Sequence, residues 1–160
     1  MPGKTAAGWV GAHSRAKPTA FFDASAMAPL CLAQPSSQWA RQAYRTFTTQ
    51  IVAPTTLIET ASAINRAVRL GGLVATRAKT AMDRLSQLER RWIQIEWTDR
   101  ITSLAVDVLA KFDLRAGDAI QLASALTWCK EQPRNRAFVS FDQRLGAAAV
   151  RAGFDLISLE

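Results

Sequence analysis

The chain has 160 residues, 49% hydrophobic and 21% charged, with a formal net charge of +7 carried by 15 arginines and 5 lysines against 13 acids. That balance excludes a disordered chain and suits one folded domain with a sizeable core. Two distant cysteines, Cys31 and Cys129, argue against a disulfide framework or a zinc site, and no apolar run is long enough to span a bilayer, so buried thiols and a cytoplasmic location are expected.

Residues 1–19 carry Lys4, His13, Arg15 and Lys17 around a short, glycine-broken apolar patch, and read as a flexible basic arm before a single domain over 20–160. Short apolar runs then alternate with helical patterns. AFF (20–22) reads as a buried strand, and residues 25–48 as helix broken around Pro35. QIVA (50–53) is a second strand closed by Pro54, followed by helices over 55–70 and 74–91 with Gly71-Gly72 between them. IQIEW (93–97) alternates and reads as an edge strand. Helices over 100–112 and 116–131 follow, then strand AFVSF (137–141), a helix over 143–152 stopped by Gly153, and strand FDLISL (154–159). Strands alternating with helices predict an α/β fold with a parallel sheet covered on both faces, and ligands in such sheets bind beyond the carboxyl ends of the strands.

Four acids stand where that rule gives them a use. Asp23 follows the first strand, Asp142 follows AFVSF, Glu59 lies in the first turns of the helix after QIVA, and Asp118 opens the helix before AFVSF. Each Asp also reads as a helix N-cap, and Asp118 has Gln121 at the capping-box offset. Glu59 falls opposite the apolar stripe of its helix, where a solvated side chain is expected. Asp118 instead heads the stripe Leu122, Ala125, Leu126 and Cys129, so it needs a partner such as Arg115 or a metal, or it loses its charge. Gathered within ~4–6 Å, each pair of these acids would repel by roughly 3–4 kcal/mol at an effective dielectric near 20. A hard divalent cation resolves that conflict, and with no His or Cys cluster the natural choice is Mg²⁺ or Mn²⁺.

The segments FFDASAM, PTTLIETASAI, LRAGDAIQLASAL and AFVSFDQRLGAAAVRAGF, in this order and spacing, resemble the PIN-domain ribonucleases, and among them the VapC-type toxins of bacterial toxin–antitoxin operons. The resemblance covers residues 20 to about 159. It implies a three-layer α/β/α fold with a parallel sheet of about five strands, Mg²⁺- or Mn²⁺-dependent RNA cleavage, a homodimer, and neutralisation by a small protein antitoxin lying across the active-site face. Asp23, Glu59, Asp118 and Asp142 take the family's acidic, metal-binding positions. Ser25 and Ser140 take its hydroxyl positions beside the first and last acids, and local turn or capping bonds explain both serines equally. The arm, and Gln121 where many relatives carry a bulkier or histidine side chain, depart from the pattern.

The mechanism this implies is hydrolysis leaving a 5′-phosphate and a 3′-hydroxyl, since cyclisation through the 2′-hydroxyl wants a histidine pair and the only histidine is His13. Asp23, Asp118 and Asp142 would be ligands, with Glu59 a ligand or water-orienting group. The helix pair 55–91 is the most basic region, with Arg66, Arg69, Arg77, Lys79, Arg84, Arg90 and Arg91 against Asp83 and Glu89. Arg66, Arg69 and Arg115 are candidate contacts to RNA or antitoxin, though a solvated face with i,i+4 pairs looks the same. Trp39, Trp92, Trp97 and Trp128 read as core or dimer-contact residues. Two alternatives stand beside the toxin: a non-catalytic interaction module of the same fold, and a PIN nuclease outside a toxin–antitoxin system. A haloacid-dehalogenase-type phosphotransferase needs an Asp where Ser25 stands, and a receiver domain needs an acidic pair and a late lysine that are missing.

Overall fold

Successive side chains of a strand point to opposite faces, and Phe21 and Phe22 show what this chain does with that alternation. Both are fully buried, Phe22 among residues of one core and Phe21 among those of another. A strand buried on both faces belongs in the middle of a covered parallel sheet. The computed structural model, which describes residues 17–159, places it there. In chain order the elements are β1 (Thr19–Phe22), α1 (Ala24–Cys31), α2 (Ser37–Thr46), β2 (Thr49–Val52), α3 (Thr56–Arg69), α4 (Ala75–Glu89), β3 (Ile93–Gln94), α5 (Asp99–Lys111), α6 (Ala116–Trp128), β4 (Ala137–Val139), α7 (Gln143–Ala152) and β5 (Asp155–Ile157).

The five strands lie in the order β3-β2-β1-β4-β5 and all pair in parallel. This is the expected three-layer α/β/α architecture of PIN-like form. β1 is central, with Phe21 in register with Ile51 on one side and Phe138 on the other. The chain leaves β1 toward β2 and later returns to β4 on the opposite flank. The gap between β1 and β4 is therefore the point where the winding reverses, the place at the carboxyl ends where sheets of this kind bind ligands. One core layer joins Phe22, Val52 and Val139 to Met27, Ile64, Leu85, Leu88 and Trp92. The other joins Phe21, Ile51 and Phe138 to Ile101, Leu104, Leu122 and Leu145.

Strand ends differ from the sequence-based expectation for physical reasons. IQIEW keeps only Ile93–Gln94 in the sheet because it is an edge: Ile93 is 52% exposed, and just one further bond, Ile95 N–H to the Val52 carbonyl (2.9 Å), continues the ladder. AFVSF stops at Val139, since the Phe141 amide donates to the Ser25 hydroxyl rather than to a neighbouring strand. Helix 25–48 divides into α1 and α2 as Pro35 predicts, with Pro29 accommodated inside α1. The arm assigned to 1–19 falls outside the described residues up to 16, while Thr19 belongs to β1, in register with Thr49.

Trp92 is core, Trp39 and Trp128 are half-buried, and Trp97 is exposed, its indole N–H donating to Thr102 (3.2 Å). Both cysteines are free; burial pushes the Cys31 thiol up to about 11 and raises that of Cys129, so both are inert at neutral pH. Among the described residues no helix is long and apolar enough to cross a membrane.

Phe138 stacks on Phe21 (centroids 5.2 Å apart) and meets Phe154 (5.4 Å), so it ties β1, β4 and the entry to β5 together. Phe138→Ala should destabilise the fold by about 3–5 kcal/mol in urea unfolding.

Candidate active site

β1 delivers Asp23 to the crevice in extended conformation (φ −80°, ψ 172°), where its amide donates to the Val139 carbonyl (3.1 Å) and prolongs the β1–β4 pairing. The side chain accepts from the Ala26 amide (3.1 Å) and so caps α1. Ser25 Oγ donates to the carboxylate, at 2.7 Å from Oδ1 and 3.0 Å from Oδ2, and Ser140 Oγ reaches Oδ2 at 3.1 Å. Ser25 Oγ also accepts from the amides of Phe141 (2.9 Å) and Asp142 (3.1 Å), which stitches the start of α1 to the turn after β4.

Asp23 is only 3% exposed, and each of these partners is neutral. Burial therefore dominates: it pushes the carboxyl from 3.8 up to about 7, against the lowering effect of Ser25, Ser140 and Ala26, and with a further push from the charge of Asp142. Asp142 itself is exposed and caps α7 through Leu145 N–H (2.8 Å). Asp118 lies half-buried in the first turn of α6. Its carboxyl is raised by burial and then by Asp142, and lowered by the Arg115 backbone and the charges of Arg115 and Arg144. Asp142 thus stands electrostatically between the other two aspartates.

Glu59 is placed differently. It is half-buried rather than solvated, and its Oε1 accepts from Thr55 Oγ1 (2.6 Å) and from Gln121 Nε2 (3.0 Å). Its carboxyl borders Gly117, one residue before Asp118; a Cβ there would stand 3.7 Å from Oε2. The expected capping box of α6 does not form. Arg115 occupies the N-cap without a side-chain bond, and Gln121 turns away from Asp118 to reach α3.

The expected convergence is thus partial. Asp23, Asp142 and Asp118 share a field, and Glu59 joins them only through the first turn of α6. Among the described residues no three His, Cys, Asp or Glu side chains form a compact metal-binding group. The donor chemistry nonetheless suits a hard divalent cation. All candidate ligands are carboxylates, and the most buried of them has neutral hydrogen-bond partners and a second acid raising its proton affinity. Any cation near Asp23 would relieve that strain directly.

A cleft of about 640 Å³ reaches one of the four acids, Asp142, and is lined also by Ser140, Phe141, Arg151, Leu156 and Leu159 among others. Arg66 and Arg69 are exposed on the last turn of α3, whereas Arg115 sits at the site. In the basic α3–α4 pair, Lys79 is engaged with Asp83 at 3.0 Å on the surface, a pair worth little. Sequence reasoning missed Arg144 and Thr55. Arg144 lies two residues after Asp142, in the first turn of a helix that starts at the crevice, and Thr55 lies four residues before Glu59; both spacings were available as signals.

No protein-family model matches the chain, and no curated protein matches it at a significant level. Solved structures do. PAE2754 from Pyrobaculum aerophilum superposes with a TM-score of 0.56 at 17% identity, over 91% of this chain and 92% of that one. A toxin–antitoxin complex from Klebsiella pneumoniae superposes with a TM-score of 0.50 at 17% identity, over 80% of this chain and 90% of that one. The chain shares their fold.

Because the Asp23 carboxyl binds its proton more tightly in the folded state than in the unfolded one, folding stability should fall as pH rises from about 4 to above 7. Below the unfolded value both states are protonated and the penalty vanishes; above about 7 it is complete, at roughly 4 kcal/mol given about 1.4 kcal/mol per tenfold change in proton affinity. Asp23→Asn should therefore raise the neutral-pH Tm and flatten its pH dependence. A wild-type Tm that climbs steadily between pH 4 and 8 would contradict the assignment.

Proposed function

We propose that this protein is a metal-dependent endoribonuclease acting as the toxin of a bacterial toxin–antitoxin pair. The observation that carries the reading is the buried Asp23 carboxylate at the end of the central strand, held by neutral donors and coupled through Asp142 to Asp118. A fold shared with a toxin–antitoxin complex is in keeping with it.

In this reading Asp23, Asp118 and Asp142 hold Mg²⁺ or Mn²⁺, and Glu59 acts as a further ligand or orients the attacking water. The cation contributes a water of lowered pKa and charge neutralisation on the phosphate. Ser25 and Ser140 fix the Asp23 carboxylate against rotation. Arg115 and Arg144 bring positive charge beside the acids, where an incoming phosphodiester must pass. The cleft beyond Asp142, with Phe141 and Leu156 as apolar walls, offers room for a nucleotide next to the scissile bond. A small protein antitoxin would cover this face, and the active toxin would be a homodimer.

One observation favours the second reading, a non-catalytic interaction module: Asp23 and Asp142 each cap the helix that follows them. Capping and ligation are compatible, because an N-cap bond leaves carboxylate lone pairs unused. Metal titration separates the two readings, since caps alone bind no cation stoichiometrically.

With single-stranded RNA and Mn²⁺, the wild type should give products carrying 5′-phosphates, and Asp118→Asn should lower the cleavage rate by at least ~10²-fold without loss of folded structure by circular dichroism, as removing an electrostatic catalytic group does. Undiminished cleavage by that variant, or cleavage that persists in EDTA, would sink the assignment.

A further inference from the structure

Gln121 belongs to none of the acids, yet it is 1% exposed in the middle of α6 and its amide group is fully directed. Nε2 donates to Thr56 Oγ1 (3.2 Å) and to Glu59 Oε1 (3.0 Å). Thr56 Oγ1 is in turn anchored by the Ala53 amide just after β2 (3.1 Å), so the chain of contacts starts at the sheet. The orientation of the amide follows from this chemistry: turned over, its oxygen would face a carboxylate oxygen. As oriented, Oε1 of Gln121 is buried without a hydrogen-bond partner among the described residues. An orphaned carbonyl oxygen costs stability that an apolar side chain of similar size would not incur. Packing alone does not account for a glutamine here.

What the glutamine achieves is to fix one end of Glu59. Thr55 Oγ1 donates to the same Oε1 at 2.6 Å, so that oxygen has two donors and a set position. Oε2 accepts no hydrogen bond among the described residues and borders the bare backbone of Gly117, beside Asp118. We infer that Gln121 and Thr55 are positioning residues that lock Glu59 Oε1 and leave Oε2 as the single oxygen offered toward Asp118 and a divalent cation. The inference rests on the metal-dependent reading above and assigns to it two groups that carry no charge and touch no substrate.

The test is a Mn²⁺ titration of the full chain, followed by the electron paramagnetic resonance of free Mn²⁺, in the wild type, Gln121→Leu, Thr55→Val and Thr55→Ser. Removing groups that orient a ligand weakens metal binding by about 10- to 100-fold, and Gln121→Leu and Thr55→Val should each do so. Thr55→Ser, which keeps the hydroxyl, should retain wild-type affinity. The metal-free Tm of Gln121→Leu should not fall, because the orphaned oxygen leaves with the amide; a purely structural role would instead lower the Tm and spare the affinity. Wild-type Mn²⁺ affinity in both Gln121→Leu and Thr55→Val overturns the inference alone, and the Thr55 pair decides the matter where Gln121→Leu does not fold. Absence of stoichiometric Mn²⁺ binding by the wild type overturns the metal-dependent reading and this inference with it.

Discussion

Burying a carboxylate at the end of a central strand obliges the surrounding chain to answer for it, and the answer organises this protein's crevice. Asp23 draws hydroxyl hydrogens from Ser25 and Ser140 and an amide from Ala26, and Ser25 in turn collects the amides of Phe141 and Asp142. One acid and two hydroxyls thereby fix the entry to α1, the exit from β4 and the start of α7 in a single network. Neutral donors can hold the group but cannot cancel its charge, and this leaves the carboxyl poised near neutrality.

The sheet order explains why the network forms at this place. Winding that reverses between β1 and β4 splays the following segments apart and leaves space beyond the strand ends. Into that space come acids from the ends of β1 and β4 and from the first turn of α6, with Arg115 and Arg144 beside them. At Asp23 and Asp142 the cap and the candidate ligand are the same residue. A helix N-terminus that holds a carboxylate by one oxygen also aims the other, so the cap becomes a device for orientation.

Much of this was legible in the sequence because it rests on local patterns. The buried strands AFF and AFVSF, the break at Pro35, the stop at Gly153 and the placement of Asp23 and Asp142 at one sheet edge follow from periodicity and from the rule for parallel sheets. The surroundings of Glu59 were not legible. Its helix face reads as solvated because helical periodicity describes one helix at a time, and the partner that buries it, Gln121, lies 62 residues away on α6. The capping-box spacing at Asp118 misled for the same reason: Gln121 donates to Thr56 and Glu59 on α3 instead of accepting from the Asp118 amide along its own helix. Exposure also cut IQIEW to two residues, since alternation marks a half-buried strand but not how many neighbours it has.

The bond from Ser140 to Asp23 spans 117 residues of chain. Synthesis proceeds from the amino terminus, so β1 and α1 emerge long before β4 exists to meet them. Until then β1 lacks one of its two neighbours and Asp23 lacks one of its serines, so the network around Asp23 closes only after β4 and the turn to Asp142 have been made. A nascent or prematurely terminated chain that lacks β4 consequently carries Asp23 without its Ser140 bond, a timing that the order of the strands alone imposes.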